Sequence, residues 1–342
     1  MLAMGDGAEG FGPGVELVLK AISIACCTRD RPSEFSRLVE SLINARAQLK
    51  GRDIELLVVD DGGLPDCLLR SLAKQADSAR IHWVYHNKRQ RQGLLRSRIE
   101  AVALATYDWV IFFDDDVEVE PSYLSRLFET IEHDPSLTGL GGVDVMARPP
   151  PTWNVFGRIV LGLEPPRVGE LSFGGFPACM GRARAAPQPF VSRRLYGSNM
   201  AFRKTALQGL RVLHGFEGYS LYEDAYLSFQ AARTGTLLID PSLIIHHHNS
   251  LFSRDSSYAV GRMSILNHYQ FIRLWGAGAW RHIGVFLPIL CLIVWGIAKG
   301  LRHGLRAKNA DFDFARGQLS ALRTLLTRRS RCSFKRHAGV DE

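Results

Sequence analysis

The chain has 342 residues, of which 46% are hydrophobic and 22% are charged, and its mean hydropathy is near zero. These figures describe a folded protein with ample core, and they exclude the disordered, collagen-like and small disulfide-stabilised classes. The six cysteines show neither a CxxC pair nor the spacing of secreted domains, so we interpret them as reduced thiols in a cytosolic compartment. The glycine-rich residues 1–14 are predicted to form a flexible tail.

The net charge of +8 is unevenly distributed along the chain. Residues 299–342 contain 11 Lys or Arg and 4 Asp or Glu, so the last part of the chain carries nearly all of the excess. Residues 1–298 are close to neutral and show no general basic surplus. A nucleic-acid-binding protein would need a basic face on its folded body, so we predict no nucleic-acid partner.

The first half of the chain alternates apolar runs with segments of helical periodicity. Strands are predicted over residues 15–28, 54–59, 81–85 and 109–113, and helical spacing fills the intervals between them. This alternation is typical of parallel β-α-β units. The sequence therefore predicts an α/β fold with a mostly parallel, Rossmann-like sheet.

Polar residues follow three of these strands directly. The first strand ends at Thr28, the second at Asp60 and Asp61, and the fourth at the run 114–116, which is Asp-Asp-Asp. Ligands of open parallel sheets bind just beyond the carboxyl ends of the strands. We therefore expect these side chains to share one ligand site.

The three consecutive aspartates repel one another unless a positive charge lies beside them. A divalent cation, Mg²⁺ or Mn²⁺, would compensate them, with substrate phosphates completing its coordination. The alternative is a solvated turn that precedes the next helix. The buried character of residues 109–113 and the second acidic strand end favour the ligand site.

The second half of the chain begins with an irregular segment. Residues 148–194 are interrupted by prolines and glycines, and we predict that they form an acceptor-side insertion. A helix is then predicted from Glu223 to Thr234, and a strand over residues 236–248 ends in three histidines. The acids at 223–224 suit a helix N-terminus, and any one of the histidines could be a simple surface imidazole. Carboxylates and an imidazole together also make a credible divalent-metal site.

Several motifs in this order resemble those of family 2 glycosyltransferases. CTRDRP at 27–32 resembles their P-T-x-N-R-P opening, and VVDDGG at 58–63 resembles V-V-D-D-G-S. GLLRSR at 93–98 is similar to G-x-x-x-A-R, and FFDDD at 112–116 is similar to F-L-D-x-D. Each motif is weak alone, but their order and spacing are typical of the family.

The resemblance continues toward residue 250. GSNMAFRK at 197–204 is similar to the family's G-x-N-M-A-F-R stretch. Residues 215–235 resemble G-F-D-x(n)-E-D-x-D-L-x-x-R-x-x-x-G, and PSLIIHHH at 241–248 resembles P-x-A-x-V-x-H. The resemblance implies a GT-A fold with a nucleotide half and an acceptor half, and a glycosyltransferase of polysaccharide or glycolipid synthesis that uses a nucleotide-sugar donor.

Positions carried over from the resemblance give a candidate site. Asp224 takes the position of the general base of an inverting transfer. Asp116 takes the position of the main metal ligand, and His247 takes the position of the metal-binding histidine. If the motif were aligned one residue earlier or later, that histidine would be His246 or His248. The candidate donor-binding residues are Thr28, Arg31, Asp60, Asp61, Arg98, Asp114 and Asp115.

Two other classes compete with an active transferase. A sugar nucleotidyltransferase would be expected to show a Gly-rich loop after the first strand, and CCTRDRPSEF contains no glycine. A non-catalytic GT-A-like scaffold of a polysaccharide assembly complex is disfavoured by the intact Asp116, Asp224 and histidines. The transferase interpretation implies a saccharide or lipid-linked acceptor.

The stretch Ile283–Ala298 is uncharged but has only 16 residues, fewer than a transmembrane helix needs. We predict a catalytic domain over residues 15–255, a membrane-associating helical segment over 256–298 and a basic tail over 299–342. Peripheral or monotopic attachment to the cytoplasmic side of the membrane would keep the catalytic body and the basic tail on one side. The alternative is a buried helix that packs on the catalytic domain.

Overall fold

The computed structural model describes residues 18–49, 51–88, 93–213, 216, 220–248, 256–275, 286–302 and 310–328. The strands are β1 (Ala21–Thr28), β2 (Asp53–Asp60), β3 (Ile81–Asn87), β4 (Trp109–Asp114), β5 (Val117–Val119), β6 (Leu137–Asp144), β7 (Phe190–Val191), β8 (Asn199–Arg203) and β9 (Thr236–His247). The helices are α1 (Pro32–Arg46), α2 (Asp66–Ser78), α3 (Leu94–Leu104), α4 (Tyr123–His133), α5 (Thr152–Val160), α6 (Met180–Arg184), α7 (Glu223–Ala231), α8 (Ser257–Leu274), α9 (Phe286–Arg302) and α10 (Ala310–Arg328), with a 3₁₀ turn at Lys204–Leu207. The predicted tail 1–14 lies outside the described residues.

A single sheet runs in the order β3-β2-β1-β4-β8-β6-β9-β5, and β7 also pairs with β9. Strands β3, β2, β1 and β4 are parallel neighbours, as predicted. The second half of the sheet is mixed, because β8 runs antiparallel to both β4 and β6. A parallel neighbour requires a crossover, whereas β8 enters directly from the irregular segment and is free to run the other way.

The core lies on both faces of this sheet. One face packs against α1, α2 and α4, through side chains such as Phe35 and Leu127. The other packs against α3 and α7, through Leu95 and Leu227. Because helices cover both faces, β1 and β2 are near-continuous apolar runs, which is why the sequence predicts them clearly.

The C-terminal helices α8, α9 and α10 form a third apolar cluster that includes α7. Ile265 and Phe271 of α8 and Ile289 and Ile293 of α9 pack there with Ala225 of α7. The first residues of the apolar stretch, 283–285, lie outside the described residues. In the part of the chain that the structure describes, no helix combines the length and the apolar character needed to cross a bilayer.

Helices α8 and α10 cross at two glycines. A Cβ at Gly261 would overlap the carbonyl oxygen of Phe314, and a Cβ at Gly317 would overlap that of Tyr258. We expect Gly317→Ala to lower the thermal unfolding midpoint. Overpacking costs about 1–3 kcal/mol, which exceeds the gain in helix propensity of about 1 kcal/mol.

Gly157 provides the matched control for this substitution. It is also a helical glycine, in α5, but no atom lies within 4 Å of the position of its Cβ. Gly157→Ala should leave the unfolding midpoint unchanged or raise it. If Gly317→Ala raised the midpoint equally, the close crossing of α8 and α10 would be wrong.

Candidate active site

The polar ends of β1, β2 and β4 meet at one edge of the sheet, where the structure has a cavity of about 550 Å³. The parallel register sets Thr28 opposite Asp60 and Cys27 opposite Asp114. Eight of the residues predicted for the site line this cavity, namely Thr28, Arg31, Asp61, Asp114, Asp115, Asp116, Asp224 and His247. Asp60, Arg98 and His246 do not line it.

Asp114, Asp116 and His247 bring three potential metal ligands together. One ligand atom from each lies within 4.8 Å of the others, and His247 Nε2 is 3.0 Å from Asp116 Oδ1. The antiparallel pairing of β5 with β9, which sets Val117 opposite His247, produces this approach. Two carboxylates and an imidazole fit Mn²⁺ or Mg²⁺, with further positions left for substrate oxygens.

The neighbouring histidines point elsewhere. His246 Nε2 is 2.6 Å from Glu120 Oε1, and His248 Nε2 is 3.2 Å from Glu118 Oε2. Neither belongs to the group of close ligand atoms. Of the three histidines that the sequence left open, the structure therefore brings only His247 to the aspartates.

The acidic run is held by groups from β1 and the turn after it. Asp115 accepts hydrogen bonds from Thr28 Oγ1 and Arg31 Nη1, each at 2.8 Å. Arg31 also lies 3.6 Å from Asp116. Burial raises the pKa of Asp115 to about 6, although the charge of Arg31 opposes it. Burial also raises the pKa of Asp114, so a bound cation would stabilise the ionised forms of both carboxyl groups.

Arg98 lies beneath the cavity and is only 2% exposed. It donates to Asp114 Oδ1 at 2.9 Å, to Glu223 Oε1 at 2.8 Å and to the carbonyl oxygen of Gly197 at 2.9 Å. Burial raises the pKa of Glu223, and Arg98 opposes that rise. Arg98 thus links the acidic end of β4 to the start of α7. The sequence did not single out Glu223 for this role, although its position beside Asp224 is a usable signal.

Asp60 and Asp61 have different surroundings. Asp60 is fully buried and accepts from the backbone N–H groups of Gly62 and Leu64 and from Tyr85 Oη, which fixes the loop after β2. Asp61 lines the cavity and lies 3.1 Å from Lys88 Nζ. The structure therefore gives Asp60 a loop-shaping position and brings Asp61 to the cavity wall.

Asp224 is paired with an arginine that the sequence analysis missed. Arg194 Nη2 donates to Asp224 Oδ1 at 2.8 Å, and Arg194 Nε donates to Oδ2 at 3.1 Å. The Arg194 guanidinium also lies over the Tyr222 ring, 5.0 Å from its centroid. Arg194 is the last residue of the irregular segment and lies three residues before Gly197, where the GSNMAFRK motif begins. A basic pair just ahead of the GSNMAFRK motif is the signal that could have found it.

The wall of the cavity around Asp224 is built from several parts of the chain. Met180 of α6, Arg194, Tyr222 and Ser264 of α8 all line it. Tyr222 has a left-handed backbone, with φ of 74°, which is a strained conformation for a tyrosine. The insertion and the C-terminal helices therefore both contribute walls to the same cavity.

A family model described as glycosyl transferase family 2 matches residues 23–210, more than half of the chain. The chain belongs to glycosyltransferase family 2. As a family 2 glycosyltransferase it is an enzyme that transfers glycosyl groups, which confirms the prediction from the motifs.

A curated relative of this glycosyltransferase is the glucosyl-dolichyl phosphate glucuronosyltransferase of Haloferax volcanii. The two are 27% identical over 185 residues, which is 54% of this chain and 52% of the relative. The match thus spans about half the length of that relative.

Three solved structures share the fold. The mannosyltransferase PcManGT from Pyrobaculum calidifontis, in complex with GDP-Man and Mn²⁺, has a TM-score of 0.53 at 13% identity, covering 88% of this chain and 86% of that one. The structure of GalNAc-T7 with UDP, GalNAc and Mn²⁺ has a TM-score of 0.52 at 17% identity, and the match covers 76% of this chain and 48% of that one. The structure of S. aureus TarS 1–349 has a TM-score of 0.50 at 15% identity, and the match covers 90% of this chain and 86% of that one. The predicted GT-A fold is confirmed by these neighbours.

Proposed function

We propose that this family 2 glycosyltransferase is inverting and metal-dependent, and that it moves a sugar from a nucleotide-sugar to a hydroxyl group of a saccharide or lipid-linked acceptor. One observation carries the proposal: the Asp114–Asp116–His247 group and the Asp224 carboxylate border the same cavity. Inverting transfer needs a cation for the leaving diphosphate and a base for the attacking hydroxyl. The cavity offers a candidate for each.

On the donor side, Asp114, Asp116 and His247 would hold Mn²⁺ or Mg²⁺, and Thr28, Arg31 and Asp61 would border the nucleotide. The bound cation would stabilise the negative charge that develops on the departing nucleoside diphosphate. Arg98 would act from below by fixing the orientation of Asp114. The GDP-Man and Mn²⁺ of PcManGT and the UDP and Mn²⁺ of GalNAc-T7 support a metal and a nucleotide here.

On the acceptor side, Asp224 would take the proton of the acceptor hydroxyl as its oxygen bonds to the anomeric carbon. The bond from that carbon to the diphosphate oxygen breaks on the opposite face of the sugar, so the configuration inverts. Asp224 is 8% exposed and fixed by Arg194, so its carboxylate has a defined direction. Such a fixed base avoids reorientation during the reaction.

The acceptor class and the location are further parts of the proposal. The name of the Haloferax volcanii relative supports a lipid-linked acceptor and a role in glycolipid or cell-surface polysaccharide synthesis. Peripheral or monotopic attachment at the cytoplasmic face of the membrane, through residues 283–298 and the basic tail, would suit such an acceptor. The domain limits proposed from the sequence remain 15–255, 256–298 and 299–342.

The test is an assay of nucleoside diphosphate release by the purified full chain. UDP-, GDP- and dTDP-sugars are first screened with Mn²⁺ by thermal shift, because specific binding stabilises the fold. Release should depend on both acceptor and metal, and NMR of the product should show an inverted anomeric centre. Release without any transfer product, or retention of configuration, would contradict the proposal.

Arg194 provides a separate prediction. Arg194→Ala should lower kcat by about 10–100-fold, because a loosened base leaves the productive geometry, while KM for the donor stays nearly unchanged. Arg194→Lys should recover only part of the loss, since lysine cannot form the two-pronged contact.

The adjacent Arg193 is the matched control for Arg194. It is exposed and forms no ion pair with the described part of the chain. Arg193→Ala should therefore keep the wild-type kcat with a soluble acceptor. Equal kcat values for Arg194→Ala and wild type would remove Arg194 from the positioning role.

A further inference from the structure

Helix α5 of the insertion exposes an apolar stripe. None of its nine side chains is buried, and Trp153 and Phe156 are 77% and 70% exposed. Together with Val160 they follow the spacing i, i+3, i+7, which aligns them on one face of the helix. Large exposed apolar groups in such an arrangement usually mark an interaction surface.

Helix α9 exposes a second stripe of the same kind. Its large exposed apolar side chains are Leu287, Leu290, Val294, Trp295 and Leu301, and Trp295 is 71% exposed. The opposite side of α9 packs into the C-terminal cluster through Ile289 and Ile293. The stripe is therefore the outer face of a helix that is already anchored on the protein.

The end of α5 and the start of α9 lie close to each other. A Cβ at Gly162 would overlap the half-exposed ring of Phe173, and a Cβ at Gly174 would lie 2.7 Å from Pro288 Cγ. The exposed apolar side chains of α5, Phe173 and α9 therefore lie on neighbouring segments of the chain. We call the outward side chains of α5, Phe173 and α9 the apolar face.

Helix α8 fixes the insertion to the C-terminal helices. The carbonyl oxygen of Gly174 lies 2.7 Å from His268 Nε2, and the ring of Phe176 stacks on that imidazole at 4.3 Å. Burial lowers the pKa of His268 to about 3, so the contact is made by a neutral ring. The apolar face is therefore held by buried contacts behind it.

Basic residues predominate in the segments that carry the apolar face and in those next to it. Residues 148–194 contain seven arginines and two glutamates, and one of these, Glu164, is buried against Arg158 and Arg182. Four exposed arginines, Arg148, Arg167, Arg184 and Arg193, form no ion pair with the described residues. Helices α8 and α9 add four Lys or Arg and no acidic residue.

We infer that the apolar face docks on the surface of an anionic phospholipid bilayer, with α5 lying in the interface beside α9. Tryptophan and aliphatic side chains match the interfacial layer of such a membrane, and the neighbouring basic residues match its anionic headgroups. A second copy of this chain fits less well as the partner, because the basic residues of the two copies would then face each other.

Docking in this way would also orient the cavity. Met180 of the insertion and Ser264 of α8, the helix that contacts the insertion through His268, border the cavity. This step rests on the proposed function: a lipid-linked acceptor would reach Asp224 while its apolar chain stays in the bilayer. The docking surface itself does not depend on that acceptor.

The test compares sedimentation of the full chain with vesicles of phosphatidylcholine alone and of phosphatidylcholine mixed with phosphatidylglycerol. Wild type should bind the mixed vesicles more tightly, and added salt should weaken this binding. The double variant Trp153→Ser, Phe156→Ser should bind mixed vesicles at least about tenfold more weakly, because two apolar side chains no longer leave water. Both substituted positions are exposed, so the thermal unfolding midpoint should not change.

Leu104→Ser is the matched control, since Leu104 is an exposed apolar residue at the far end of α3, away from the cavity. It should sediment like wild type. The inference would be overturned if the double variant bound vesicles as tightly as wild type does. It would also be overturned if the double variant lost self-association instead of vesicle binding. Transfer to a soluble acceptor should be unchanged in the double variant. If no transfer occurs even in wild type while vesicle binding still depends on Trp153 and Phe156, the proposed function fails and the docking surface stands.

Discussion

Replacing Asp224 with asparagine should lower turnover by about 10²–10⁴-fold, the range typical of a general base. The two side chains have nearly the same shape, but the amide cannot take a proton from the acceptor hydroxyl. Donor affinity should be close to wild type, because Asp224 lies on the acceptor side, paired with Arg194. Steady-state kinetics with separate titrations of donor and acceptor measures both effects.

Asp108→Asn serves as the matched control for this substitution. Asp108 also pairs with an arginine, Arg203, but its side chain is largely exposed and lies outside the cavity. It should keep wild-type turnover. An Asp224→Asn enzyme with more than about a tenth of wild-type turnover would need another base.

Asp116→Ala and His247→Ala should each weaken Mn²⁺-dependent binding of a nucleoside diphosphate by at least about 10²-fold, since even residues that only support metal ligands contribute 10–100-fold. Both side chains belong to the group of close ligand atoms. The measurement is calorimetric titration of UDP and GDP in the presence and absence of Mn²⁺. A chelator should abolish transfer by the wild type.

His246→Ala is the matched control for the metal site, because His246 is the adjacent imidazole but contacts Glu120 instead of the aspartates. It should bind metal and nucleotide like wild type. Unchanged Mn²⁺ dependence in His247→Ala, or activity that resists the chelator, would contradict the proposed metal site. Thermal unfolding without metal checks that each variant is folded.

The donor half of the fold could be predicted from the sequence because its signals are local. Buried parallel strands are continuous apolar runs, so the ends of β1, β2 and β4 are visible as abrupt changes to Thr28, Asp60 and Asp114. The parallel register then carries these ends to one edge. Most of the predicted site residues line the cavity for this reason.

The resemblance favoured His247 among the three histidines, but the residue pattern alone left His246 and His248 open. Alternation along β9 separates neighbouring side chains but does not say which face meets the aspartates. That is decided by the pairing of β5 with β9, over more than a hundred residues of separation. A strand of three residues, such as β5, is too short for its hydrophobic pattern to predict the strand with which it pairs.

The sequence analysis missed the Arg194–Asp224 pair for a related reason, although the basic pair 193–194 marks the position. Arg194 follows an irregular segment without periodicity, so no pattern fixes where its side chain lies. Likewise, the composition of residues 283–298 indicates an apolar helix but not which of its faces is covered. Contacts between distant segments decide both points.

The close crossing of α8 and α10 has a consequence for how the active site is completed. The family match ends at residue 210, whereas Asp224, His247 and Ser264 lie beyond it. Ser264 is held by α8, and α8 rests on α10 through Gly261 and Gly317. Shortening the chain before residue 310 to remove a basic tail would therefore also take away the support of a cavity wall. Helix α10 therefore supports a wall of the candidate active site, and we expect its integrity to affect the proposed transfer as well as stability.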